Sequence, residues 1–394
     1  MRTLILVENL SVPFDRRVWQ EAQALRDAGV SVTVICPRGS GRDMLHFEHL
    51  DGVDIYRYSL PAAVGGPTGY LREYGVAFTR TARLVRNVAQ KGAVEVVHAC
   101  NPPDLLFMTA LWLRRRGARF IFDQHDLVPE LVLSRFGEHR RLLYRVALRA
   151  ERLTFALADV VIATNESYRR IALERGRKSP EDVFVVRSAP DLTRFGPVTP
   201  HPSLRRGKSH LIVYLGVMGP QDGVDHALRA LALLREIRKD WCAIFIGDGD
   251  VRTQMLALAA DLGLDEWVQF TGRIPDADVQ TILSTADLCL APDPQNPLNE
   301  KSTMNKILEY MAVGKPIVSY DLREARASAG TAARYAVPNS EHSFCQTIAT
   351  LLDDEQARTR MGAEGRLRLE RELSWEHSKR ELLRAYDRAL EARV

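Results

Sequence analysis

No run in this sequence approaches the roughly 18 apolar residues of a membrane-spanning helix, which argues against an integral helical membrane protein. No G-x-G-x-x-G follows the first strand-like run. ENLSVPFDRRV stands where that fingerprint would be, which disfavours an NAD-dependent dehydrogenase, and there is no Walker A sequence either. Cysteine is scarce and scattered: Cys36, Cys100, Cys242, Cys289 and Cys345. The number is odd, no C-x-x-C or Cys/His cluster suggests metal, and the five read as buried free thiols in a reducing compartment. Charge of one sign is also lacking. With 54 Lys and Arg against 50 Asp and Glu the net charge is +4, which by itself indicates neither nucleic acid nor membrane. The N-terminal MRTLILVEN is apolar only from Leu4 to Val7 and reads as a strand, too short for a signal peptide. The expectation is a cytoplasmic protein with at most peripheral membrane contact.

At 394 residues the chain is too long for one compact core, and its 46% hydrophobic and 26% charged composition is that of a globular protein. Strand-like runs at Thr3–Val7, Ser31–Cys36, Val53–Tyr58, Val94–Ala99, Arg119–Asp123, Val160–Ala163 and Val183–Val186 alternate with helical patterns at Asp15–Ala28, Tyr70–Gln90, Asp104–Arg116, Glu138–Leu157 and Ser167–Arg175. The second half repeats the plan. Its strands are Leu211–Gly216, Cys242–Gly247, Val268–Thr271, Asp287–Ala291, Pro316–Tyr320 and Tyr335–Val337, with helices between them. Repeated β-α-β units with short joints predict an α/β protein with parallel, doubly wound sheets. Pro190–Lys208, with four prolines and Gly207 among its residues, reads as the linker between two Rossmann-like domains. The expected limits are residues 1–195 and 209–372, with 373–394 a helix returning to the first domain. Two such domains would face a cleft, each holding one substrate at its C-terminal strand edge.

The most telling stretch is Asn299–Pro316, NEKSTMNKILEYMAVGKP. A strand precedes it and a helix opens near Ser302. Met304, Ile307, Leu308 and Met311 form an apolar stripe, and Asn305, Lys306 and Glu309 are expected on the opposite face. Lys306 and Glu309 can be read as an ordinary solvated i,i+3 pair. They can equally serve a nucleotide, with backbone N–H groups and Lys306 meeting a diphosphate and Glu309 accepting both ribose hydroxyls. The carboxylate nearest DLCLA is Asp293, isolated between Pro292 and Pro294.

NEKSTMNKILEYMAVGKPIVSYD resembles the donor-binding region of glycosyltransferase family 4, the retaining enzymes of GT-B fold. DRRVWQEAQALRDAGVSVTVICP, VEVVHACNPPD, FIFDQHDLVPE, YLGVMGPQDGVDHALRAL, IGDGD, QFTGRIP, ADLCLAPD and SWEHSKRELLRAYDRAL agree in order and spacing. The resemblance covers essentially the whole chain and is closest to the subgroup making bacterial surface polysaccharides such as colanic acid and O-antigen. It implies transfer of a hexose-type sugar from a nucleoside diphosphate to a saccharide, lipid-linked or small-molecule acceptor. It implies no metal, no cofactor beyond the sugar nucleotide, and no nucleic acid partner. Glu309 matches the second glutamate of the family's E-x7-E motif, the ribose ligand. Ser302, Thr303, Met304 and Asn305 would lie along the donor sugar and diphosphate, and Gly216 beside the phosphates. Gly247, Arg273 and Ile274 match positions that shape the base pocket. His125 matches a histidine near the transferred sugar, with Asp126 next to it on the acceptor side.

Three departures stand out. Lys301 occupies the position of the first motif glutamate, eight residues before Glu309, with Glu300 adjacent. Val217 and Asp222 occupy places where the family has Arg and Lys, leaving Lys301 and Lys306 to supply phosphate charge. The family's glycine pair after the first strand is replaced by Asn9–Arg17. That makes Asp15, Arg16 and Arg17 candidates for acceptor or phosphate contact, or else a helix N-cap followed by solvated arginines. Two competing functions share the fold: a sugar-nucleotide epimerase and a non-catalytic nucleotide-sugar-binding protein. Finally, Glu138–Leu157 carries Arg140, Arg141, Arg145, Arg149 and Arg152 among apolar residues. It reads either as a helix lying on anionic lipid or as an outer helix whose apolar stripe is core.

Overall fold

A computed structural model describes residues 1–39, 41–60, 66–136 and 141–391. Its strands are the short apolar runs that the sequence places between helices: β1 (Arg2–Leu6), β2 (Ser31–Pro37), β3 (Phe47–Leu50), β4 (Val53–Tyr58), β5 (Val96–Cys100), β6 (Arg119–Gln124), β7 (Val160–Ala163) and β8 (Val183–Val185). They form one sheet in the order β3-β4-β2-β1-β5-β6-β7-β8. A second sheet holds β9 (His210–Leu215), β10 (Trp241–Ile246), β11 (Val268–Gly272), β12 (Leu288–Ala291), β13 (Ile317–Tyr320) and β14 (Ala333–Ala336), in the order β11-β10-β9-β12-β13-β14. Every pairing is parallel except β3 with β4. Strands such as LIL, FIF and CAIF are buried on both faces, which is why they read as continuous apolar runs.

The antiparallel edge strand β3 was not expected. Its alternation is inverted: Phe47 is exposed while Glu48 is buried on the Arg57 guanidinium at 2.8 Å. An inward ion pair of this kind is invisible to hydrophobic patterning. Two helices were also missed. Val128–Phe136 has Pro129 in its first turn, where proline costs no hydrogen bond, and the seven-residue Arg323–Ala329 is too short to show an apolar period. The region Asp104–Arg116 is a 3-10 turn, Asp104–Leu106, followed by a helix at Phe107–Arg114. The basic helix is described over Arg141–Leu157, so Arg140 lies outside the described residues.

The chain forms two compact units, Met1–Ser188 with Glu376–Val394, and Ala189–Trp375. The proline-rich stretch after Pro190 runs along the second unit: the backbone N–H groups of Gly196, Val198 and His201 donate to Gln280, Ser284 and Thr285. The helix Trp375–Glu391 brings the chain back to the first unit. It buries Leu382, Ala385, Tyr386 and Ala389, and Arg388 Nε donates to Asp182 at 2.9 Å. Among the described residues no helix is long and apolar enough to cross a membrane.

The returning helix can be tested by comparing two leucines of the same unit. Leu382 is fully buried and Leu153 is exposed. Leu382→Ala should cost about 2–5 kcal/mol in denaturant unfolding, and Leu153→Ala within about 0.5 kcal/mol.

Candidate functional site

In the second unit the strand order reverses at β9, which pairs with β10 on one side and β12 on the other. Ligands of doubly wound sheets bind beyond the strand ends at such a point. Gly216 follows β9 there. Gly247 follows β10 with φ +129°, and a Cβ on it would lie 1.9 Å from Gly216 O. Glycine is therefore required for the two turns to touch. The Gly247 N–H donates to Gly272 O at 3.0 Å, which sets the exposed Arg273 and the half-buried Ile274 next in line.

The expectation of an outward-facing Lys306 is corrected. The helix spans Asn305–Ala312, and Lys306 in its first turn is only 7% exposed. Its Nζ lies 2.6 Å from Asp293 Oδ1, 4.0 Å from Asp222 Oδ1 and 5.1 Å from the centre of the Tyr214 ring. Its Cε would meet a Cβ on Gly216 at 3.1 Å, so its stem lies against that glycine. A cation this buried needs a carboxylate partner, and Asp293, isolated in sequence, is that partner. Asp222 also caps the turn after Gly216, accepting from Gly219 N–H at 2.9 Å.

Asn305 is exposed and Glu309 half-buried. Ser302, Thr303 and Met304 precede the helix rather than open it. Ser302 Oγ donates to Leu298 O at 2.9 Å, and Met304 packs against the core. Lys301 is half-buried. Glu300 accepts from Gln295 Nε2 at 2.6 Å and from Arg323 N–H at 3.2 Å, so its carboxylate is tied to the start of Arg323–Ala329.

In the first unit the order reverses at β1, between β2 and β5. Asn101, just past β5, fixes the turn after β6. Its Oδ1 accepts from the N–H groups of His125 at 2.7 Å and Asp126 at 3.0 Å, and its Nδ2 donates to Asp126 O at 2.8 Å and to Asp104 Oδ1 at 2.8 Å. Asp15 is the N-cap of Arg16–Asp27, accepting from Val18 N–H at 3.2 Å, and Arg16 is exposed. Arg17 departs from both sequence readings. It is buried, and its donors go to Asp123 Oδ1 at 2.8 Å and Oδ2 at 3.3 Å, Val186 O at 2.7 Å and Ser188 Oγ at 3.2 Å. It is a buried, paired cation rather than a solvated one.

Burial alone would raise the Asp123 carboxyl, but Arg17 and His125 overcome it and hold it well below the usual range. Burial would lower the His125 imidazole. Asp123 Oδ2, 2.6 Å from Nε2, outweighs burial and Arg17, so the net shift is upward. Glu21, His98, Cys100 and Asp123 have donor atoms within 4.8 Å of one another. As a metal centre the set fits poorly, because the guanidinium of Arg17 already stands against both carboxylates, 3.2 Å from Glu21 and 2.8 Å from Asp123. Sequence reasoning missed Asp123, although one signal was available: it lies two residues before His125 at a strand end, where i and i+2 share a face. A cavity of about 670 Å³ lined by Phe184, Arg384 and Arg388 includes none of the candidate residues.

These two sheet edges belong to a GT-B fold. Residues 15–188 match the family described as glycosyl transferase 4-like domain, and residues 209–354 the family described as glycosyl transferases group 1, so both halves are glycosyltransferase-type domains. The chain is 25% identical to a D-inositol 3-phosphate glycosyltransferase of Salinispora tropica, covering 95% of this chain and 80% of that one. It spans 36–52% of the length of three other curated relatives, among them a 2-deoxystreptamine glucosyltransferase of Streptomyces kanamyceticus. Among solved structures it resembles a sucrose-phosphate synthase from Thermosynechococcus elongatus, with TM-score 0.82, 17% identity and full coverage of both chains. It also resembles the Anabaena protein Alr3699/HepE in complex with UDP-glucose, with TM-score 0.72, 16% identity, 98% of this chain and 99% of that one.

Glu8, just past β1, is buried, and its Oε1 has no hydrogen-bond partner among the described residues. Burial pushes its carboxyl from the usual 4.5 up to about 8, with Glu73 adding to the rise. The folded state therefore favours the protonated form. This contribution to stability is full below the unfolded value of 4.5 and is lost as pH rises through about 8. Glu8→Gln should raise the melting midpoint at pH ~8.5 relative to wild type and change it little at pH ~4.5, by calorimetry at the two pH values.

Proposed function

We propose that this protein is a retaining glycosyltransferase that moves a hexose-type sugar from a nucleoside diphosphate to an acceptor hydroxyl. The observation that carries the reading is Lys306, set against Gly216 at the reversal point of the second sheet, one turn before Glu309 on the same helix. That arrangement suits a diphosphate beside the lysine and the helix N-terminus, and a ribose on the glutamate. The glycosyltransferase family matches and the UDP-glucose bound by the Anabaena protein support a sugar nucleotide as donor.

On this reading the second unit binds the donor, and the first, with His125 at its candidate site, holds the acceptor. The bond from the anomeric carbon to the leaving phosphate oxygen breaks, and a bond to the acceptor oxygen forms on the same face. The acceptor proton passes to the departing phosphate. The protein's task is to stabilise the diphosphate and an oxocarbenium-like sugar. Lys306, Lys301 and backbone N–H groups take the phosphate charge, so no divalent metal is needed. Lys306 reaches the diphosphate by sharing itself with Asp293.

The described face of the basic helix bears on the acceptor. Leu142, Val146 and Leu153 fall on one stripe at i, i+4 and i+11, and are 76%, 51% and 54% exposed. Arg141, Arg145, Arg149 and Arg152 are exposed beside them, and the helix's one acid, Glu151, is buried on Arg175. These three residues are thus not core, whereas Phe155 on the same helix is buried. A basic face with exposed leucines complements an anionic lipid surface, which favours a lipid-linked acceptor.

Two experiments test these readings. A panel of UDP-, GDP- and dTDP-sugars should raise the melting midpoint for one base. Glu309→Ala should weaken that donor by about 1.5–3 kcal/mol, roughly ten- to a hundredfold. A sugar nucleotide that binds and is epimerised without any acceptor would replace the transferase reading with the epimerase. For the surface, replacing Arg141, Arg145 and Arg149 by Gln should cut binding to phosphatidylserine-containing vesicles by about 3 kcal/mol, at about 1 kcal/mol per residue. Co-sedimentation unchanged by the three substitutions would remove the lipid assignment.

A further inference from the structure

Behind His125 lies a series of buried polar groups that no contact with donor or acceptor requires. Asp123 Oδ2 is 2.6 Å from His125 Nε2 and 3.4 Å from His98 Nε2. His98 Nδ1 is 3.0 Å from the Tyr386 hydroxyl, itself 3.2 Å from Thr3 Oγ1. Glu21 stands 3.2 Å from Arg17 and 3.8 Å from His98. Asp123, Glu21 and His98 are fully buried.

The chemistry of the carboxylate fixes the proton. An ionised carboxylate only accepts, so the 2.6 Å contact requires a proton on His125 Nε2. Arg17 Nε lies 2.9 Å from the same Nε2 and 3.3 Å from Asp123 Oδ2. The Arg17 Nε–H is directed at both: donation to Nε2 would need that nitrogen bare, which would set two lone pairs against each other across the 2.6 Å contact with Asp123, so Nε2 keeps its proton and the Arg17 Nε–H serves Asp123 Oδ2. Nδ1 is then the ring nitrogen left for a ligand, and among the described residues it has no hydrogen-bond partner.

We propose that Asp123, braced by Arg17, is the positioning residue that locks His125 with Nε2–H on the carboxylate and Nδ1 toward a sugar substrate. The proposal rests on the transferase reading only for what Nδ1 faces; the lock itself is a property of the free protein. Charged and titratable groups surround the imidazole from three elements. Asp123 precedes it on β6, Asp15, Arg17 and Glu21 come from Arg16–Asp27 and its cap, and His98 and Cys100 come from β5. Of these, Asp123 and Arg17 contact the ring directly, Asp123 at 2.6 Å and Arg17 at 2.9 Å.

The test begins on wild-type protein with no donor, so that no variant has to fold. In 15N–1H spectra of histidine-labelled protein, His125 should show a strongly deshielded Nε2–H proton and titrate above the usual imidazole value. A His125 ring that carries its neutral-state proton on Nδ1 overturns the proposal. Asp123→Asn should then move that signal upfield, lower kcat by roughly a hundredfold as a misplaced group does, and leave donor affinity within about twofold. In His125→Ala the further change Asp123→Asn should cost almost nothing, since the two residues act as one unit. Full additivity of the two losses would make Asp123 merely structural and overturn the proposal. If the Nε2–H signal is present but no sugar nucleotide binds or turns over, the transferase reading fails while the lock stands.

Discussion

The buried pair of Arg17 and Asp123 is the constraint on which the first unit's candidate site depends. One guanidinium joins the first turn of the helix Arg16–Asp27 to the end of β6 and to the backbone at Val186. One carboxylate then joins that guanidinium to His125. Desolvating either charge alone is expensive, so neither partner is dispensable once the other is buried. The second unit repeats the device with different residues. Lys306 and Asp293 meet at the reversal point of their own sheet, one from a helix start and the other from the end of a strand. In each unit a buried ion pair sits where a ligand would be read, so the charges there are held by the fold before anything binds.

Much of this organisation is legible in the residues. Continuous apolar strands such as FIF and CAIF, and the glycines between elements, give the alternation of strand and helix. The exceptions share a cause. Glu48, Arg17 and Lys306 are charged residues that turn inward because a specific partner, Arg57, Asp123 or Asp293, is brought to them from a different element. Periodicity assigns charge to the outside, and only three-dimensional pairing reverses that. The basic helix, for which the sequence allows both a lipid-facing and a core-packed reading, divides its apolar residues between the two. Its leucines count as core by composition, yet Leu142, Val146 and Leu153 are exposed because the buried face is supplied by Ala147, Glu151, Thr154 and Phe155.

The departures from the glycosyltransferase motif make physical sense together. Asp222 stands where a lysine was expected, and it closes a turn beside Gly216. A cation reaches the same place from another element, since the stem of Lys306 runs against Gly216. The local balance of charge is therefore built from residues about eighty positions apart in sequence, which a motif read segment by segment does not reveal. Glu300, the carboxylate nearest the missing first glutamate, is bound to Gln295 and to the start of Arg323–Ala329. Lys301 thus remains a change of sign at that motif position.

The return of the helix Trp375–Glu391 has a consequence for synthesis. The second unit is an insertion within the first, and all of its residues leave the ribosome before residue 376 does. Domains fold as units while the chain emerges. The unit begun first is then completed last: the hydroxyl of Tyr386, which touches both β1 and β5, arrives only after the whole of the second unit has been made. Until then the nascent chain carries an open apolar face where Leu382 and Ala389 will lie.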